Sequence, residues 1–284
     1  MELLPRKLIV SASRRQDLPG CAPERLLGQI LEREFVWRQP YSGRQERLSF
    51  EVEEIFCLAL WSKDFGSLLQ EEARGIVEPL RPYFIFTVNH CPELERGLTP
   101  TLEERLAQAD EIVQRYGAGR LLWRFDPIVH WETGGGEHRN NLATFEIICQ
   151  HMAGLGVQRC VFSFAQLYGK VLRRQERLGI TFRDPPREEK LQILDGLAHV
   201  AGELGVQLQC CCDPEMAEAH PAVIPASCID APYLTTVIEA DPVGLDLKAH
   251  PSREGCGCTR SVDVGQYDGC RHRCAYCYAN PRLD

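Results

Sequence analysis

Continuous apolar runs that end in polar residues, alternating with segments of helical spacing, restrict this chain more than any other feature. The runs are Lys7–Ser13, Ile55–Trp61, Tyr83–His90, Leu121–Asp126, Arg159–Phe164 and Val206–Cys211, with Val243–Lys248 as a seventh. Strands apolar along their whole length are buried on both faces, which is the condition of a parallel sheet covered by helices. Helices are expected over Pro23–Glu34, Gly66–Val77, Leu102–Tyr116, Asn140–Leu155 and Arg187–Leu204. Pro23 suits a first helical turn, and Thr101-Leu-Glu-Glu104 reads as a capping box. Phe35–Phe50, with its Tyr-Ser-Gly turn, reads as an inserted hairpin, and a charged loop is expected ahead of Arg187. Six or seven such units favour an α/β, TIM-like (βα) barrel, complete or partial, over an open doubly wound sheet. No Gly-rich phosphate fingerprint follows the first strand, which speaks against a dinucleotide-binding fold. The barrel is expected over residues 1–250, with residues 251–284 as a cysteine-rich tail packed on its mouth.

A chain of 284 residues buries a large core. Its net charge of −8 argues against a nucleic-acid binder that relies on a general basic field. The apolar runs are too short to span a bilayer, and Met1-Glu-Leu-Leu-Pro-Arg6 lacks the order of an export signal. A cytoplasmic location is therefore expected. Fourteen cysteines in a chain of this size read as reduced thiols rather than a disulfide scaffold, and nine of them lie between Cys210 and Cys277. Such crowding points to metal chemistry.

Cys270, Cys274 and Cys277 form a C-x-x-x-C-x-x-C motif within eight residues. Thiolates at this spacing suit iron–sulfur clusters, zinc or cuprous ions. Three cysteines without an obvious fourth suggest a [4Fe–4S] cubane with one open iron. Structural zinc would close its tetrahedron, with His272 or Cys258 as the conceivable fourth ligand. Buried thiols without metal are the third alternative. Cys256 and Cys258 lie just upstream and are further metal-ligand candidates, for a fourth ligand or, with Cys210, Cys211 and Cys212, a second site. Cys228 stays open in the same way, whereas Cys21, Cys57, Cys91, Cys149 and Cys160 read as scattered packing residues.

The spacing, together with Tyr276 before the last cysteine, resembles the cluster motif of the radical S-adenosylmethionine superfamily, although here the motif follows the strand–helix alternation instead of preceding it. Ser11-Ala-Ser-Arg-Arg-Gln-Asp-Leu-Pro19, Trp123-Arg-Phe-Asp-Pro-Ile128, Cys256-Gly-Cys258 and Tyr276-Cys-Tyr-Ala-Asn280 resemble the bacterial family DUF1848 over nearly the whole chain. The terminal cysteines of that family are similar to those of the radical enzymes. The resemblance implies a cluster on Cys270, Cys274 and Cys277 that binds S-adenosylmethionine at its open iron. It also implies an electron donor such as a flavodoxin or ferredoxin, and a small-molecule or modified-biopolymer substrate. A non-catalytic electron-transfer or redox-sensing protein is the alternative, and a zinc-binding barrel a third.

Charges recur at the strand ends: Arg14, Arg15 and Asp17; Lys63 and Asp64; Arg124 and Asp126; Asp246 and Lys248. Guanidinium groups over a barrel mouth grip carboxylates or phosphates. Arg14, Arg15, Asp17, Arg124, Asp126 and Lys248 are therefore candidate catalytic residues that orient an anionic group, with internal salt bridging as the plain alternative. Gly134-Gly-Gly-Glu137 invites comparison with a Gly-Gly-Glu cofactor segment, but such runs are commonly loops. His130 and His138 suit structural roles, and Trp61, Phe84, Phe86 and Trp123 suit the core.

Overall fold

A computed structural model describes residues 7–39 and 42–279. Met1–Arg6, Tyr41 of the expected turn and Asn280 of the terminal motif lie outside the described residues. The chain begins with β1 (Leu8–Ala12), the short α1 (Leu18–Cys21) and α2 (Pro23–Leu31), followed by the hairpin β2 (Glu34–Arg38) and β3 (Gln45–Ser49). β4 (Ile55–Ser62) leads into α3 (Gly66–Leu69) and α4 (Glu71–Val77), and β5 (Pro82–Thr87) leads into α5 (Leu102–Tyr116). β6 (Leu121–Ile128) is followed by the strand pair β7 (His130–Thr133) and β8 (His138–Asn140), then by α6 (Phe145–Gly154). β9 (Arg159–Phe164), α7 (Gly169–Leu178), β10 (Ile180–Arg183), α8 (Arg187–Glu203) and β11 (Gln207–Cys210) come next. α9 (Pro214–Ala219), β12 (Val223–Pro225), α10 (Ala231–Val237) and β13 (Val262–Asp263) complete the order.

Eight strands form one sheet in the order β12-β11-β9-β6-β5-β4-β1-β13, with every pair parallel. From β1 to β12 the order follows the sequence, so the sheet winds in a single direction and is α/β as expected. A closed barrel is not what the pairing forms: among the described residues no ladder joins β12 to β13. Both strands are too short for one, at three and two residues. That edge is crossed by single bonds instead, Thr259 N to Ile229 O at 2.8 Å and Ser227 Oγ to Gly257 O at 2.7 Å. Val243–Lys248 is not a strand. Its Val243 and Leu247 are half exposed, and only Leu245 bridges to Lys7.

Side-chain alternation gives each central strand two buried faces. Leu58, Leu60, Phe84, Phe86, Trp123 and Phe125 face the helix layer, while Cys57, Ala59, Trp61, Tyr83, Ile85 and Leu122 line the opposite face with α10 against them. α5 starts as its sequence requires: the Thr101 side chain accepts from Glu104 N, and the Glu104 carboxylate accepts from Thr101 N. A third core joins β7, β10 and α7 to the tail through Trp131, Phe182, Val171, Cys274 and Tyr276. Gly134–Gly136 form the turn between β7 and β8, which settles that run as a hairpin turn.

Candidate functional site

The C-terminal ends of the parallel strands carry the chemistry, as they do in parallel α/β sheets generally. Asp263, on β13, ties the tail to the end of β1. Its carboxylate accepts from Ser11 Oγ at 3.0 Å, Ser13 Oγ at 2.8 Å, Arg14 N at 2.9 Å and Gly265 N at 3.1 Å. Arg14 Nε and Arg15 Nη1 stand 3.5 and 3.9 Å from the same group. A second seam holds the tail to the loop after β5: Gly97 N donates to His272 O at 2.9 Å and Ala275 N to Leu94 O at 2.7 Å.

Between these seams lie the motif cysteines. Cys270 Sγ is 3.7 Å from Cys21 Sγ at the end of α1, and Arg271 N donates to the Cys21 sulfur at 3.2 Å. The hydrogen bond from Cys21 lowers the Cys270 pKa against the cost of burial, with positive His272 adding to it, and correspondingly raises that of Cys21. His272 Nε2 meets Asp17 Oδ2 at 2.7 Å, both side chains being buried. Burial alone would depress the His272 pKa, but the Asp17 charge and hydrogen bond outweigh it and raise it to about 9. Asp17 also caps α1 through Gly20 N at 2.8 Å and accepts from Lys63 N at 2.8 Å and Ser62 Oγ at 2.7 Å. Cys274 is buried, and burial followed by the Glu95 charge pushes its thiol up. Glu95 is held by Lys63 Nζ at 2.8 Å and by the Tyr276 hydroxyl. Arg174 of α7 donates to the backbone oxygens of Cys277 and Ala279.

The strand-end arginines border this tail. Tyr278, one residue beyond Cys277, donates its hydroxyl to Arg14 O. Arg124 pairs with Asp126, which accepts from Ser163, and the guanidinium lies 5.1 Å from the Trp61 ring centre. Arg14 Nη1 and Arg124 Nε are buried with no hydrogen-bond partner among the described residues. A cavity of about 310 Å³ is lined by Ser163, the donor to Asp126, and by Gln166, Tyr168, Lys190, Cys211 and Asp213 among others. A more open hollow of about 530 Å³ lies among Glu32, Arg33, Glu51 and Glu54, before β4 and away from the thiols.

Five further cysteines gather at the ends of β11 and β12. Cys211 and Cys212 have their sulfurs 3.6 Å apart. Cys211, Cys228 and Cys258 share one buried cluster, and Cys212 and Cys256 pack against it, completing a ring of five thiols. All fourteen cysteines are free thiols. As the side chains stand, no group of three or more His, Cys, Asp or Glu among the described residues could hold a metal ion.

The sequence profile of the family described as "Domain of unknown function (DUF1848)" matches residues 9–279. The chain belongs to DUF1848. No curated protein and no solved structure matches it significantly. No helix among the described residues is long and apolar enough to cross a membrane.

In this DUF1848 chain the sequence candidates divide. Arg14, Arg15, Asp17, Arg124 and Asp126 lie around the tail, whereas Lys248 is exposed on the loop that replaces the seventh strand, its N–H donating to Asp246. Cys256 and Cys258 join the five-thiol ring, so Cys258 does not complete the tail triplet. Cys210 points into the helix-side core, opposite Cys211. Cys21, read as packing, stands beside Cys270. Asp263, Glu95 and Gly97 went unnoticed because their partners are far along the chain. A Cβ on Gly97 would lie 1.9 Å from Arg271 O, a backbone clash that no rotamer relieves. Gly97→Ala is therefore expected to unseat the tail, so that Cys274 and Cys277 alkylate faster, while far-ultraviolet circular dichroism stays native. Gly28→Ala, whose Cβ meets nothing within 4 Å, gives the control.

Proposed function

We propose that this protein is a radical S-adenosylmethionine-like enzyme whose tail thiols Cys270, Cys274 and Cys277 carry a [4Fe–4S] cluster over the C-terminal edge of a (βα)-barrel-like sheet. The observation that carries this reading is that the motif segment seats against the strand ends, where Tyr278, next to Cys277, donates to Arg14 O, and where the Arg14 and Arg124 side chains each keep a buried N–H without a partner among the described residues. The thiolates around one tetrahedral zinc, at about 2.3 Å from the metal, stand less than about 4 Å from one another, whereas a cubane spreads three thiolates over separate irons. Three motif thiols suit a cubane that leaves one iron open, whereas structural zinc would call for a fourth ligand. The single-direction winding, with β13 placed beside β1, supports reading the sheet as a barrel whose last edge is closed by loops.

When reduced, such a cluster supplies the electron that cleaves the sulfonium bond of bound S-adenosylmethionine. Arg14 and Arg124 offer N–H groups to a carboxylate, with Arg15 behind them. Asp17 anchors His272, two residues after Cys270, to the start of α1, whose last residue Cys21 touches Cys270. Lys63, Glu95 and Tyr276 fix Cys274 in a dry setting. The cavity lined by Ser163, Lys190 and Cys211 suits an anionic substrate. Free thiols throughout support a reducing, cytoplasmic setting with a ferredoxin or flavodoxin as donor, and nucleic acid is not favoured as a partner.

Anaerobically reconstituted protein is expected to hold iron and sulfide and, after reduction, to release methionine and 5′-deoxyadenosine from S-adenosylmethionine. Iron without cleavage under any reductant selects a non-catalytic electron carrier or redox sensor instead. Stoichiometric zinc without colour rejects both. Arg124→Gln is expected to keep its iron yet weaken S-adenosylmethionine binding about 10- to 100-fold, the range for losing a charge-assisted hydrogen bond. Equilibrium dialysis measures it, and unchanged binding removes Arg124 from the site.

A further inference from the structure

The ring formed by Cys211, Cys212, Cys228, Cys256 and Cys258 lies outside the tail site, and three separate segments are bent to assemble it. Cys212 has φ of 58°, a left-handed conformation that costs a non-glycine residue roughly 1–2 kcal/mol. That turn puts two adjacent residues, which in a strand would point to opposite faces, into sulfur contact at 3.6 Å. The Gly255-Cys-Gly-Cys258 segment is pressed against the same place. A Cβ on Gly255 would come within 2.9 Å of Pro214 Cδ and 3.1 Å of Cys212 C. One on Gly257 would come within 2.5 Å of Ser227 Oγ and 2.8 Å of Ala226 O. Both glycines are therefore required for Cys256 and Cys258 to reach β11 and the loop after β12. Packing alone does not call for this, because a cysteine used as a small hydrophobe has no need of other sulfurs beside it.

The surroundings are those of a thiolate site. Ile229 N points to Cys258 Sγ at 3.4 Å, Ser252 Oγ to Cys256 Sγ at 3.5 Å, and Arg253 Nε to Cys212 Sγ at 2.9 Å. Arg253 Nη2 lies 3.9 Å from Cys211 Sγ, which also forms part of the cavity wall. Such N–H and O–H donors stabilise and tune sulfur ligands.

We propose that this ring binds a second soft-metal centre, distinct from the tail site, with four of its five sulfurs as ligands. Four thiolates satisfy either an iron–sulfur cluster or a zinc tetrahedron, and the metal retained in the test below tells the two apart. Each coordinating thiol gives up its proton on loading. The inference stands whether or not the tail carries a cluster.

The test uses the full chain carrying Cys270→Ala, Cys274→Ala and Cys277→Ala together, which silences the tail. After anaerobic purification and treatment with ferrous iron and sulfide, this chain is expected to retain about four irons with matching sulfide. Adding Cys212→Ser and Cys256→Ser is expected to abolish that retention. About one zinc in place of iron, lost on the same substitutions, also supports the centre and names its metal. Metal-free but natively folded protein, or metal unaffected by the added substitutions, overturns it. Should the silenced chain not fold, wild-type protein is alkylated with and without a strong chelator. Cys211, Cys212, Cys228, Cys256 and Cys258 are expected to react at least about 10-fold faster once metal is stripped, in keeping with the coupling of metal to local folding. Equal rates overturn the proposal.

Discussion

Cys274→Ala is expected to strip the tail of its iron and sulfide and to reduce S-adenosylmethionine cleavage more than about 100-fold, beyond the 10- to 100-fold that follows loss of an outer-sphere partner. Cys274 is buried among Cys91, Leu94, Trp131 and Tyr276, and the Glu95 loop bridges to its backbone. The substitution removes only a sulfur, and the backbone bridge persists. Cys91→Ala, in the same core, is the matched control, expected to cost about 1 kcal/mol of packing and to keep its iron. Iron content, the visible spectrum of the anaerobic protein and 5′-deoxyadenosine release read the pair. Equal iron in both variants would remove the tail from the chemistry altogether.

Asp263→Ala carries the largest expected cost in stability. The side chain is 6% exposed and gathers two serine hydroxyls, two backbone N–H groups and the charges of Arg14 and Arg15. Removing it leaves two guanidinium groups facing one another without their shared counter-charge, in a place where solvent reaches them poorly. Breaking a buried ion pair on one side costs about 3–5 kcal/mol, which in a chain of this size corresponds to roughly a 10 °C fall in melting temperature. The loss reaches the chemistry as well, because β13 pairs only with β1 and delivers the whole cysteine segment. Asp263→Asn is expected to recover part of the stability by keeping one carbonyl acceptor for a serine hydroxyl, while its NH2 donates to the other hydroxyl. A melting temperature unchanged in Asp263→Ala would show that the tail is held by the Gly97 seam alone.

The main-sheet strands β1, β4, β5, β6, β9 and β11, with α2, α5 and α8, are legible because continuous apolar runs and helical spacing are local signals, whereas the short β7, β8 and β10 carry no such run. Thr101–Glu104 even marks the first turn of α5. The failures share a cause. Val243–Lys248 has apolar residues but follows Pro242, contains Gly244 and runs into an exposed loop, so its short run gains nothing from pairing. α7 was taken as a charged loop because four of its residues are Lys or Arg and only Val171 is buried. β13 has two residues and no run to detect; a single aspartate places it. At the site the motif cysteines and strand-end arginines were readable from type and spacing. The pairing of Cys21 with Cys270, and the split of Cys210 from Cys211 and Cys212, depend on which way neighbouring residues face.

Cys21 and Cys270 touch across 249 positions of sequence. Contacts of such separation form late, after the local helices and strand pairs have been made. The pairing of Cys21 with Cys270 therefore waits until Val262 and Asp263 have docked beside Val10 and Ser11. Whatever the tail thiols bind meets a scaffold whose central strands are already in place, and the two-residue β13 sets that order of events.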